Sequence, residues 1–301
     1  MAGRGLVADS GANERQTQLD QSGRDLKVST VVTDYEVIER IDAFCDAVPR
    51  RRARADEYGP LVLFVPVGPG WPYYARPRRG SRPPVTAAAI RAVRARQREL
   101  IIPESFEWIE QIAPEMAAAA AAAGLEVQPH PLMVLAGPPQ APPVPAGFSV
   151  RVVAPEDSEL DRIWAVPTVA FGHPGTEVGE AGTAERDKIA ADHDGGTIAI
   201  LRERLRSGQS VLAAAFGPDG PVAAGSCQAV DGVAEITGVG VLPASRRQGL
   251  GAAVTALLAR DARERGVRTV FLSASDNAVA RIYARIGFHR IGTALIAEPA
   301  G

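Results

Sequence analysis

The chain has 301 residues, 46% of them hydrophobic, which is enough for two modest domains with packed cores. Lys and Arg number 33 against 35 Asp and Glu, so the charge balance lacks the basic excess typical of proteins that bind nucleic acids or anionic membranes. Only two cysteines occur, in no metal-binding or disulfide pattern, and no apolar run approaches the roughly 20 residues that span a bilayer. We therefore expect a soluble, cytoplasmic protein without a metal site.

The N-terminal half begins with a polar stretch, residues 1–30, that has too little apolar surface to fold and is predicted to be a disordered tail. Residues 31–137 are then expected to form an N-terminal α/β domain. Its predicted elements are a helix from Asp34, a strand over 61–68, a helix over 86–99, two short helices between 103 and 124 with Ser105 near the start of the first, and a strand over 131–137.

A connector follows at residues 138–147, where five prolines favour an extended, semi-rigid segment. Residues 148–301 form the second predicted domain, and its three central strands are joined by turns of the Asp-Gly type that favour antiparallel hairpins. The predicted elements in order are strand 148–153, helix 157–170, a glycine-rich loop to 182, an interrupted helix over 184–207, strands 210–216, 222–230 and 233–242, helix 251–265, strand 268–274, helix 278–286, and a last strand from 288.

The sequence RRQGLG, from Arg246 to Gly251, lies between a strand and a helix. The N-terminus of a helix presents free N–H groups and the positive end of the dipole, so it attracts anions. Glycines allow a phosphate to approach closely, and arginine adds positive charge. Glycine also serves turns and caps with no ligand, so this pattern alone leaves the ligand open. No P-loop or dinucleotide pattern is present.

A second pattern narrows the interpretation. The segment AEITGVGVLPASRRQGLGAAVTALLARDARERG followed by SASDNAVARIYARIGFHRIG resembles the coenzyme-binding core of the Gcn5-related N-acetyltransferase (GNAT) superfamily. Arg246, Gly249 and Gly251 match the family's first motif, and Asn277, Tyr283 and Gly287-Phe288 match its second. The resemblance covers about residues 148–301. It implies an α+β fold with a mixed, mostly antiparallel central sheet flanked by helices.

The resemblance further implies that the protein uses acetyl-CoA as co-substrate. The family's coenzyme contacts transfer to the strand segment and the turn, with Asn277 against the pantetheine arm. The residues concerned are Val239, Gly240, Val241, Arg246, Arg247, Gln248, Gly249, Leu250, Gly251, Ala252 and Asn277. In this family two parallel strands part to admit the coenzyme, and here they would be 233–242 and 268–274.

Acyl transfer to an amine requires a base for the ammonium and an acid for the departing thiolate. Similar enzymes place a tyrosine near the coenzyme sulfur, a position that Tyr283 matches, and several branches place a carboxylate base where Glu235 lies. Each has a simpler explanation, since Tyr283 could be a core residue and Glu235 could point to water from an alternating strand. In this interpretation transfer is direct, within a ternary complex, and Cys227 is a small core residue.

The loop after the first helix of this half, residues 170–187, occupies the place where the family builds the acceptor pocket. Phe171, His173 and Glu177 are its candidate substrate residues. His193 stands between Asp192 and Asp194, but three adjacent residues cannot all reach one ion, so we interpret it as a solvated helix end.

The end of the first half also resembles the last helix and strands of an acetyltransferase domain, which favours a tandem arrangement with a degenerate first copy. That copy lacks the glycine-rich turn, so we expect it to shape the acceptor site rather than bind coenzyme. The expected acceptor is a primary amine on a small molecule or a protein, with no nucleic acid or membrane partner; a homodimer is compatible with the sequence. The alternative is a catalytically silent acyl-CoA-binding regulatory or interaction protein.

Overall fold

A computed structural model of the chain describes residues 33–68, 73–81, 83–192 and 195–300, and the predicted tail at 1–30 lies outside them. The helices are α1 Asp34–Arg50, α2 Ala87–Glu99, α3 Met116–Ala122, α4 Leu160–Phe171, α5 Thr183–Asp192, α6 Gly195–Arg206, α7 Leu250–Glu264 and α8 Asn277–Ile286. The strands are β1 Ala53–Tyr58, β2 Leu61–Pro66, β3 Arg76–Pro77, β4 Phe106–Ile109, β5 Glu126–Leu135, β6 Ser149–Val152, β7 Val211–Gly217, β8 Gly220–Val230, β9 Val233–Val241, β10 Thr269–Ser273 and β11 Phe288–Glu298.

The strands form two sheets. The larger has eight strands in the order β4-β11-β5-β10-β9-β8-β7-β6, and the smaller has the order β1-β2-β3. All neighbours within the sheets are antiparallel except β9 and β10, which are parallel. This mixed, mostly antiparallel sheet with helices is the predicted fold class.

One predicted element is wrong, and two strands, β1 and β3, escaped prediction. The first of the two short helices expected between 103 and 124 is strand β4, in which buried Phe106 and Trp108 alternate with half-buried Glu107 at the two-residue period of a strand. Strand β1 was missed because its sequence, ARADEY, is polar and lies at a sheet edge. Strand β5 also starts earlier than predicted, at Glu126.

The two halves repeat one order of elements. In the first half it is β1-β2-β3-α2-β4-α3-β5, and in the second it is β7-β8-β9-α7-β10-α8-β11. In both, the first three strands are antiparallel neighbours, and the third meets the fourth in parallel, through Val233–Glu235 of β9 in one copy and a single bridge between Ala75 and Phe106 in the other. The N-terminal half is therefore a second, GNAT-like copy within the chain.

The last strands of the two copies are exchanged. Strand β5, which ends the first copy, lies between β10 and β11 of the second, whereas β11, which ends the second copy, lies between β4 and β5 of the first. The eight-stranded sheet is therefore built from both halves.

Helix α1 packs against this shared sheet. Its buried face, with Ile38, Ile41 and Phe44, forms one apolar cluster with Ile109 of the first copy and with Val233 and Phe271 of the second. The rings of Phe44 and Phe271 meet edge to face with centroids 5.2 Å apart. A helix of the first half thus covers the strands that carry the predicted site of the second.

Candidate functional site

Strands β9 and β10 part at Glu235. Their parallel pairing runs from Val233 to Glu235 opposite Thr269 to Phe271 and then ends, although β9 continues to Val241. The β10-facing edge of β9 beyond Glu235 has no strand partner within the described chain. The two strands expected to separate do so, and the exposed edge includes the predicted coenzyme residues Val239, Gly240 and Val241.

A β-bulge lies within this open edge. The register between β8 and β9 shifts between Ala224 and Ser226, so that Gly238 and Val239 together face Gly225. Gly238 has φ +63°, which an L side chain rarely adopts. A bulge increases the local twist of a strand, and this one lies in the stretch of β9 that β10 leaves unpaired.

The open edge leads to the N-terminus of α7. Gly249 is the N-cap residue with φ +75°, and no side chain caps the helix. Among the described residues, the N–H groups of Arg247 to Ala252 donate to no protein acceptor, and the first N–H bonded in this region is that of Ala253, to Gly249 O. These free donors at a helix N-terminus form a cradle for an anion such as a pyrophosphate.

The side chains of Arg246 and Arg247 bind protein groups in the loop after α4. The guanidinium of Arg246 donates to the carbonyl oxygens of Ala170, His173 and Glu177 at 3.1, 2.5 and 3.2 Å. Arg247 donates to Thr176 O and forms an ion pair with Glu177. Both side chains therefore fasten the predicted acceptor loop to the turn, and the anion cradle consists of backbone N–H groups.

That loop places its candidate residues at the surface. Phe171 is 62% exposed, and Glu177 lies on Arg247. His173 donates from Nδ1 to Val169 O at 3.0 Å, because a carbonyl oxygen can only accept. The role of these three residues in the acceptor pocket stays a prediction, and the arginine contacts explain how the loop is held against the turn.

Gly240 has a packing role. A Cβ there would lie 2.8 Å from Ala170 Cβ and 2.9 Å from Pro167 Cα of α4, closer than real Cβ contacts. The missing side chain of Gly240 therefore accommodates α4, and the contact of its backbone with coenzyme stays a prediction.

Glu235 stands where the strands part and is half-buried. Burial and, to a smaller extent, the nearby charge of Glu107 raise its pKa to about 8 against the opposing effect of Arg76. Val233 and Glu235 face the α1 side of the sheet, since Val233 belongs to the cluster with α1 while Ala234 and Ile236 belong to the core on the other face. The carboxyl group can therefore exchange a proton near neutral pH.

Tyr283 and Asn277 lie on α8. Burial raises the pKa of Tyr283 to about 12, so its hydroxyl stays protonated at neutral pH, and its ring meets Phe288 at 6.2 Å. Asn277 is the exposed first residue of the helix, which Asp276 caps through the N–H groups of Ala278 and Val279. The connector also reaches this region: Gln140 N donates to Ile286 O at 2.7 Å, and Pro142 lies 3.7 Å from where a Cβ of Gly249 would be.

Among the described residues, the start of α2 in the first copy differs from the start of α7. At the start of α2, Thr86 Oγ1 accepts the N–H of Ala89 at 3.2 Å, and the preceding prolines 83 and 84 have no N–H to offer. That the first half does not bind coenzyme stays a prediction.

Three further sequence features have plain structural outcomes. Burial raises the pKa of the Cys45 and Cys227 thiols, which makes both poor nucleophiles. His193 lies outside the described residues, and within them no three His, Cys, Asp or Glu side chains converge as metal ligands. No helix of the described chain is both long and apolar enough to cross a bilayer.

Comparisons with known proteins agree with this geometry. The sequence profile of the acetyltransferase (GNAT) family matches residues 182–288. A mycothiol acetyltransferase of Cellulomonas flavigena is 32% identical over 210 residues; the match covers 64% of this chain and 56% of that protein, so this chain spans little more than half the length of the curated relative.

Solved structures show the same fold. A GCN5-related N-acetyltransferase from Kribbella flavida is 25% identical, with a TM-score of 0.63 over 88% of this chain and 96% of the other. An acetyltransferase of the GNAT family from Novosphingobium aromaticivorans, 15% identical, matches with a TM-score of 0.50 over 84% and 93% of the two chains, a likeness of fold alone. The parted strands, the bulge and the open helix N-terminus lie within the matched segment, so residues 182–288, in the C-terminal half, form a domain of the GNAT family.

Proposed function

We propose that this protein transfers an acetyl group from acetyl-CoA to a primary amine. The observation that carries the proposal is the parting of β9 from β10 at Glu235, which leaves an unpaired strand edge that leads to the free N–H groups of α7. An extended ligand with amide groups can pair with such an edge, and its pyrophosphate can occupy the cradle.

The residues present suit this ligand. Val239 to Val241 offer backbone groups for the pantetheine amides, and the turn from Arg247 to Ala252 offers donors for the phosphates. The side chains of Arg246 and Arg247 hold the turn against the acceptor loop, and Asn277 stands near the carboxyl end of β10. When bound, acetyl-CoA supplies an activated acetyl thioester.

The chain's own side chains then handle the protons. In its ionised form Glu235 accepts a proton from the acceptor ammonium, which frees the amine lone pair. The amine nitrogen attacks the acetyl carbon, so that a C–N bond forms as the C–S bond breaks. Tyr283, which stays protonated at neutral pH, donates its hydroxyl proton to the departing thiolate, and the second proton that the nitrogen loses as the amide forms returns to the Tyr283 oxygen. No covalent enzyme intermediate is needed, and both cysteines are protonated thiols.

Release of free thiol from acetyl-CoA in the presence of a panel of primary amines tests the proposal. We expect amine-dependent release in the wild type and a large loss in Glu235→Gln. Tight binding of acetyl-CoA without release for any amine would instead support the silent coenzyme-binding protein. Because one relative is a mycothiol acetyltransferase, the panel includes a thiol-bearing amine together with peptides.

A further inference from the structure

Glu107 of the first copy faces the same side of the sheet as Glu235 of the second. On β4, Phe106 and Trp108 point into one core, whereas Ile109 belongs to the cluster with α1, so Glu107 points to the α1 side with Ile109. Glu235 shares that side with Val233. The two carboxyl groups, from different halves, therefore face the same helix.

Helix α1 brings their surroundings together. Through Phe44 it contacts Phe271, which is the register partner of Glu235. Through Asp42 it pairs with Arg76 at 2.5 Å, and the residue before Arg76 accepts the N–H of Glu107 at 2.9 Å. Arg76 also contacts the thiol of Cys45, the neighbour of Phe44. Neighbouring residues of α1, Asp42 and Phe44, thus contact residues adjacent to each of the two glutamates.

The charged side chains next to α1 form a cluster of three carboxyl groups, Asp42, Glu107 and Glu235, and two guanidinium groups, Arg76 and Arg79. Asp42 forms ion pairs with both Arg76 and Arg79. The carboxyl groups of Glu107 and Glu235 have no hydrogen-bond partner among the described residues. Both glutamates are half-buried. The charge of each raises the pKa of Cys45 and of Tyr74, so the two carboxyl groups lie near the same side chains.

A second feature points to a ligand. Arg76 is 4% exposed, and its Nε is enclosed without an acceptor among the described residues. An enclosed guanidinium N–H without a partner is costly, and an oxygen atom of a bound molecule would satisfy it. The cluster therefore combines two free carboxylates with one free donor.

We infer that Glu107 is an acceptor-binding residue: with Glu235 it holds the ammonium group of a small acceptor that carries a hydroxyl or carbonyl oxygen close to its amine, and Arg76 Nε donates to that oxygen. The inference rests on the proposed acetyl transfer and gives the first copy a direct part in the acceptor site.

The test compares two probes of similar size, ethanolamine, which has the oxygen, and propylamine, which lacks it. Their binding is measured by ligand-observed NMR, which needs no turnover, and their KM by thiol release. Glu107→Gln should weaken ethanolamine binding roughly tenfold or more, the effect of losing one charge-assisted hydrogen bond. The KM for acetyl-CoA should stay unchanged. Wild-type protein should prefer ethanolamine to propylamine.

Glu110→Gln, an exposed glutamate one residue beyond β4, is the matched control and should behave as wild type. Glu107→Asp keeps the charge and should recover part of the affinity, which a merely structural role would not produce. Removal of the Glu107 charge should also lower the pKa of Glu235 and move the acid limb of kcat/KM to lower pH; the groups that face this pair are Arg76, His130, Cys45 and Tyr74.

The outcomes are separable. Acetyl transfer with the same amine affinity and the same acid limb in Glu107→Gln would overturn the inference while the proposed function stands. Equal binding of the two probes would overturn the oxygen contact. If the protein binds amines in a way that depends on Glu107 but releases no thiol, the proposed function is refuted and the inferred binding site stands.

Discussion

The pH dependence of turnover is the sharpest test of Glu235. With a pKa of about 8, its carboxyl group is mostly protonated at pH 6, where only about one molecule in a hundred has the ionised base. The logarithm of kcat/KM should therefore rise with unit slope from pH 6 and level off near pH 8. Tyr283, with a pKa of about 12, stays protonated throughout this range and adds no limb of its own.

The measurement is thiol release from acetyl-CoA across pH 6–9.5, with an amine whose own pKa lies near 10 or above. Glu235→Gln should lower kcat/KM by roughly 10²–10⁴ at pH 8, the usual contribution of a general base. The variant should also lose the acid limb, because no group remains to titrate there. A wild-type profile that is flat between pH 6 and 8, or a variant that keeps the same limb, would refute Glu235 as the base.

Three further predictions concern stability and the acceptor loop. A raised carboxyl pKa means that the folded state binds the proton of Glu235 more tightly than the unfolded state, so the free energy of unfolding falls as the pH rises from about 4.5 through 8. The difference in Tm between Glu235→Gln and wild type, measured by calorimetry, should therefore increase over that range. A difference that stays constant with pH would contradict the raised pKa. Arg246→Gln removes a guanidinium that holds three loop carbonyls, so hydrogen exchange at residues 173–179 should speed up and the KM for the amine should rise; Arg247→Gln, which breaks an exposed ion pair, should change the free energy of unfolding by no more than about 1 kcal/mol. Gly240→Ala should lower the free energy of unfolding by about 1–3 kcal/mol because the added Cβ would meet α4. Gly182→Ala, whose Cβ would lie 3.5 Å from Ala244 Cβ, is the control for an ordinary contact. Equal effects of the two substitutions on stability would show that α4 shifts freely.

The second half was accessible to sequence reasoning because local signals decide it. Asp-Gly turns fix the hairpins of β7, β8 and β9, and Gly249 and Gly287 each sit at a helix end with positive φ. Motif residues such as Asn277 and Tyr283 lie on the helix that the second motif predicts. Its carboxylate candidate, Glu235, lies where the strands part.

The rest depends on contacts between distant residues. The segment FEWI is compatible with a helix and with a strand. It forms β4 because β11, which is distant in sequence, pairs with it. Glu107 carries no local motif, and only the shared sheet and α1 bring it to the side of Glu235. The arginines of the turn were expected at phosphates, but their partners are carbonyls of a loop about 70 positions earlier.

The exchange of β5 and β11 makes the order of synthesis matter. Strand β10 gains its second neighbour from residues made long before it, whereas β4 must wait for the last strand to leave the ribosome. Pairings between such distant residues form slowly, since the chain between them must first be ordered. The first copy emerges with an unpaired edge at β4, and a chain cut in the connector should expose that edge and the face of β5. Co-expression of the two pieces, rather than either alone, is then the condition under which both should become protease-resistant.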